Sequence, residues 1–141
     1  MRTKYNVVFF LLIVLGLTGC ATTTQRVLDT DQSQVQLRSI QTRAFDTTDK
    51  KKTLKVVMST LQDLNFVVDR ADLDLGSVTA SKFANNTLLK MTVSVRPRGK
   101  TQLLVRANAR FGINAIDDPE PYQDFFAAFS KAMFLEAQEV D

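Results

Sequence analysis

The stretch from Leu89 to Phe111 leaves this chain the fewest choices. Leu89, Met91, Val93 and Val95 alternate with Lys90, Thr92, Ser94 and Arg96. Leu103, Val105, Ala107 and Ala109 then alternate with Gln102, Arg106, Asn108 and Arg110. A period of two sends one set to a buried face and the other to water. Pro97-Arg98-Gly99-Lys100 supplies turn chemistry between them. The spacing predicts two antiparallel strands with one wet face, and the apolar face then needs a cover.

Two amphipathic segments can supply it. Leu54, Val57, Met58, Leu61 and Leu64 fall on one helical stripe after the capping run Asp46-Thr47-Thr48-Asp49, with Asn65 as a left-handed stop. Lys50, Lys51 and Lys52 sit in its first turn, where the macrodipole disfavours cations. The second stripe is Tyr122, Phe125, Phe126, Phe129 and Met133, opened by Asp117-Asp118-Pro119-Glu120-Pro121 and running to about Glu139. Three more strands are expected: Ser39–Asp46, Phe66–Arg70 with Phe66 and Val68 inward, and Ser77–Phe83 with Val78 and Ala80 inward. Turns at Asp72–Gly76 and Asn85-Asn86 separate them. The order β-α-β-β-β-β-α predicts an α+β two-layer sandwich, an antiparallel sheet with two helices on one face.

Ahead of this domain stands a different kind of sequence. Arg2 and Lys4 precede an apolar run from Val7 to Leu17, which ends at Leu17-Thr18-Gly19-Cys20. Eleven residues are too few for the ~20 that a spanning helix requires, so the run reads as a signal peptide. Leu17-Thr18-Gly19-Cys20 resembles the lipobox of bacterial lipoproteins. The resemblance implies a diacylglycerol on the Cys20 thiol, cleavage before Cys20 and acylation of the new amino terminus. With Ala21 rather than aspartate next, it further implies the outer membrane of a Gram-negative cell, with the domain facing the periplasm. The expected layout is residues 1–19 as signal peptide, 20–38 as lipidated cysteine and polar tether, and 39–141 as one domain. Eighteen extended tether residues reach at most ~60 Å.

The leader alters the charge. Of 18 Lys and Arg residues, Arg2 and Lys4 would be lost, leaving 16 against 15 acids, a net +1. Overall charge therefore gives no reason to expect nucleic-acid binding. Charge is partitioned instead: residues 117–141 hold seven acids and one base, while residues 20–116 hold fifteen bases and eight acids. The chain has no histidine, so the usual base near neutral pH and the commonest metal ligand are both missing. Cys20 is the one cysteine, and lipidation would occupy it. No enzymatic motif is spaced for chemistry, and no cofactor is expected. Asp69, Asp72 and Asp74 ahead of Gly76 suggest a calcium loop, but that register puts Phe83 where an oxygen ligand belongs. They read as a solvated turn.

The element order, carried on a lipoprotein, resembles the helix-grip domains of the C-subunit lipoprotein of the outer-membrane β-barrel assembly machinery. The runs Leu61-Gln62-Asp63-Leu64-Asn65-Phe66 and Gly76-Ser77-Val78-Thr79-Ala80-Ser81-Lys82 are also similar to small proteobacterial lipoproteins. Both resemblances imply a non-catalytic envelope component that binds or scaffolds an envelope protein. The candidate partner surface comprises Lys90, Arg96, Arg106 and Arg110 on the wet sheet face, with Phe134 and Leu135 off the stripe of the last helix. The alternative is a carrier of an apolar ligand held behind Phe125 and Phe129. An up-and-down path also puts Lys50–Lys52, the Asp72–Gly76 turn and the Arg96–Lys100 tip at one end, away from the tether and toward the periplasm.

Overall fold

The computed structural model of the protein describes residues 34–84 and 86–138. The chain divides into two compact units, Met1–Val35 and Gln36–Asp141. Of the first, only residues 34 and 35 are described, and both are helical. The expected signal peptide, Cys20 and the tether as far as residue 33 lie outside the described residues, as do Asn85 and the expected end of the last helix at Glu139.

In order, the elements are α1 (34–41), β1 (Thr42–Phe45), α2 (Lys50–Asp63), β2 (Val67–Asp72), β3 (Ser77–Ala84), β4 (Thr87–Arg98), β5 (Gln102–Phe111), β6 (Asn114–Ala115) and α3 (Glu120–Gln138). The antiparallel sheet runs β1-β5-β4-β3-β2, with β6 pairing β5 on the β1 side. Helices α2 and α3 pack on one face of it. The expected α+β two-layer architecture holds, with one helix and one short strand more than the sequence pattern suggested. No helix among the described residues is long and apolar enough to cross a membrane.

The extra helix corrects the expected first strand. Residues 39–41 are helical, and β1 is only Thr42–Phe45. Leu37 and Ile40 pack against the core and Gln41 is buried beside them. These positions are i, i+3 and i+4, one helical face. The third member is polar, which hid the stripe in a segment that otherwise reads as tether.

Local chemistry explains the ends of α2. The Asp49 carboxylate accepts from Lys52 N at 2.9 Å as the N-cap. At the other end Asn65 adopts φ +64°, Phe66 N donates to Leu61 O and Asn65 N to Gln62 O. That is the paired Schellman arrangement, with Phe66 as its apolar follower. The first-turn lysines also find partners. Lys50 Nζ donates to Asp74 O at 2.7 Å, and Lys52 Nζ donates to Glu136 O at 3.1 Å, near the carbonyl-rich end of α3.

Those contacts fix the end of the domain that carries Lys50–Lys52. Lys50 meets the β2–β3 turn, and Asp46 accepts from Gln102, the register partner of Arg98. Lys50–Lys52, the Asp72–Gly76 turn and the Arg96–Lys100 tip share one end, as the up-and-down path requires. The β3–β4 and β5–β6 turns form the other. Pro97 lies within β4 rather than in its turn. Val95 N points to the β3 side, where it donates to Gly76 O, so the nitrogen of Pro97 points to that side beyond the last β3 partner, Ser77 opposite Ser94. A missing donor costs nothing there.

Leu54, Val57 and Leu61 of α2 and Tyr122, Phe125, Phe126 and Phe129 of α3 meet Val78, Ala80, Met91, Val93, Val95, Leu103, Val105 and Ala107, none more than 2% exposed. The alternation read along β4 and β5 thus holds residue for residue. Phe129 packs edge-on to Phe45 at 4.9 Å and stacks on Phe125 at 5.6 Å.

Candidate functional site

The face of the sheet away from α2 and α3 carries the polar half of the alternation. Register sets Lys90 opposite Arg110, Thr92 opposite Asn108, Ser94 opposite Arg106 and Arg96 opposite Leu104. Two recesses lie along this double row and meet at Asn108. One, of about 410 Å³, is lined by Lys90, Thr92, Asn108, Ala109, Arg110, Ile113 and Ala115. The other, of about 310 Å³, is lined by Ser94, Arg96, Leu104, Arg106 and Asn108. Together they form a trough with Lys90 and Arg110 at one end, Arg96 and Arg106 toward the other, and neutral hydroxyl and amide groups between. No carboxylate is among the described residues that line it. Like charges directly opposite on neighbouring strands repel, and Asp69 beside Lys90 offsets part of that repulsion between Lys90 and Arg110.

The four expected cations are not equivalent. Lys90 has Asp69 at 3.5 Å, a half-exposed pair that Asp69 also shares with the Ser81 hydroxyl. Such pairs contribute little. Arg96 and Arg110 are exposed. Arg106 is half-buried, and its Nη2 donates to Gln41 Oε1 at 3.3 Å, while its Nε is buried with no partner among the described residues. One side of its guanidinium braces the fold; the other lines the trough.

Phe134 and Leu135 do not belong to this surface. They stand 65% and 54% exposed on α3, in the helical layer across the sheet from Arg96 and Arg110. The expected surface therefore divides into two.

Three residues the sequence reading did not select shape the site. Leu104 lines one recess and Ile113 walls the other. Ile113, 94% exposed between Gly112 and Asn114, is legible as an apolar residue stranded in a turn. Gln41 is the third, and its bond to Arg106 spans 65 residues, beyond any local pattern.

Elsewhere the candidates resolve into structural roles. Asp72 caps its own turn, its carboxylate accepting from Leu75 N at 2.8 Å. Phe125, Phe126 and Phe129, behind which the alternative reading puts an apolar ligand, are fully buried, and the Phe125 ring contacts the other two. Compared with models of known protein families and with curated proteins, the sequence matches none.

Proposed function

We propose that the protein is a lipid-anchored periplasmic component of the outer membrane. Its domain would bind an acidic surface of an envelope protein in the β4–β5 trough and catalyse no reaction. The observation that carries this reading is the trough itself: a sheet face with two cations toward each end, neutral hydroxyl and amide groups between them and no acid among the described residues that line it. Charge complementarity of this kind governs orientation and encounter rate more than raw affinity. The chain has no histidine, and the described residues that line the trough include no carboxylate, so none of them is the usual base for proton transfer near neutral pH.

The anchor rests on Leu17-Thr18-Gly19-Cys20 and on two or three acyl chains giving stable attachment where one is marginal. Labelled palmitate should be incorporated into the full chain, which should sediment with outer membranes. The label should be lost in Cys20→Ser, and sedimentation should be weakened. Equal labelling and sedimentation of that variant would end the lipoprotein reading.

A further inference from the structure

Four large apolar side chains stand in water along one margin of the outer sheet face. Val67 is 70% exposed, Phe83 83%, Leu88 37% and Ile113 94%. A single exposed apolar residue is ordinary, but these four are neighbours. Phe83 is the register partner of Leu88, and Val67 is opposite Ser81, two residues along the same face from Phe83. Gly112 N donates to Leu88 O at 3.2 Å, which brings Ile113 to the other side of Leu88. Phe83, Leu88 and Ile113 thus run from β3 across β4 to the β5–β6 turn, roughly 10 Å of sheet width at ~4.8 Å per strand, with Val67 one register step behind them on β2.

Directly behind Phe83, Leu88 and Ile113, on the register row that Val67 shares, come Lys90 and Arg110. Lys90 is two residues from Leu88 on the same face, about 7 Å along the strand. The chain after β6 leads away from the margin, since Ala115 is opposite Arg110 and Ile116 N donates to Ala109 O. Asp117 and Asp118 accordingly lie behind the row.

An apolar row at strand ends and turns, with cations one step behind, has the depth profile of a bilayer interface. Apolar groups reach the acyl boundary while Lys and Arg meet lipid phosphates. We propose that Phe83, Leu88 and Ile113 form a rim that seats on an anionic phospholipid bilayer, with Val67 at its flank and Lys90 and Arg110 engaging the headgroups. The rim is opposite the Lys50–Lys52 end, so seating points that end away from the membrane and leaves Arg96 and Arg106 above the surface. It stands on its own geometry; a Cys20 anchor would only concentrate it at the bilayer.

The chain has no tryptophan, so one substitution gives one reporter. Full-length Phe83→Trp is titrated with phosphatidylglycerol-containing vesicles whose acyl chains are brominated, in the lipidated form and as Cys20→Ser. The rim predicts blue-shifted emission quenched by bromine in both forms. Apparent vesicle affinity of the Cys20→Ser form should fall about tenfold or more in Lys90→Glu/Arg110→Glu, from two reversed charges at ~1 kcal/mol or more each. Phe134→Trp, on the helical layer, should stay unquenched. Flotation of the lipidated chain with unquenched, water-like Phe83→Trp emission would overturn the rim while sparing the anchor. Quenching in Cys20→Ser, with no flotation advantage for the wild-type chain, would do the reverse. An emission shift produced only by an added envelope protein, and not by vesicles, would reassign the row to a protein partner and overturn the bilayer proposal.

Discussion

The Gln41 side-chain amide donates to the Tyr122 hydroxyl at 3.2 Å across 81 residues of sequence. The same hydroxyl accepts from Ala109 N at 3.2 Å and donates to Ile116 O at 2.6 Å. One donor and two acceptor positions are then all used. The location explains the need. β1 pairs β5 only from Leu103 to Arg106, and β6 pairs it only at Arg110 and Phe111. Tyr122 and Gln41 occupy the interval between, where the Ala109 N–H would otherwise lack an acceptor. Through Arg106 Nη2 and Gln41 Oε1 the chain of bonds continues to the outer face, so the trough is braced from the core.

Tyr122→Phe should destabilise the domain by about 2–3 kcal/mol, because it orphans a buried amide and a buried carbonyl while preserving the ring. Urea unfolding should read this as a lower midpoint at unchanged slope.

Gln41→Leu should cost about 1–2 kcal/mol. Combined with Tyr122→Phe it should cost less than the sum, with a coupling of about 0.5 kcal/mol or more, since both remove the same bond. Strict additivity in a double-mutant cycle would mean the two side chains act independently.

This network marks where the sequence stopped being legible. Strands β4 and β5 and the stripes of α2 and α3 declared themselves because burial repeats within each segment at its own period. Even the stop at Asn65 was readable, since φ +64° suits that residue. α1 escaped because Gln41 completes its buried face through a bond to Tyr122, a partner no local window contains. β6, two residues long, has no period to read. For the site, the outward cations of β4 and β5 followed directly from alternation. That Phe134 and Leu135 lie in the other layer, and that Arg106 is half structural, depended on how the layers stack.

Gly76 offers a sharper test of the Lys50 end. Its φ is +72°, and a Cβ there would lie 2.6 Å from Val95 O and closer still to the Lys50 side chain. Gly76→Ala should cost about 2–3 kcal/mol, and Lys50→Ala should not rescue it, because the Val95 carbonyl cannot withdraw. Gly99, with φ +64° and open space around it, should cost only about 1–2 kcal/mol on the same change. Thermal unfolding would rank the two.

Phe134→Ser/Leu135→Ser should leave stability within about 0.5 kcal/mol, both positions being exposed. It should also leave binding through the trough unchanged. A loss of partner binding on this change would move the functional surface to the helical layer.

The most direct test places a photo-crosslinking residue at Asn108, where the two recesses meet, and another at Lys131 on exposed α3, in the full-length protein in living cells. The account predicts one discrete envelope-protein adduct from position 108, none from position 131, and loss of the adduct in Arg96→Glu. An identical adduct from both positions, or one that persists at full yield in Arg96→Glu, would contradict it.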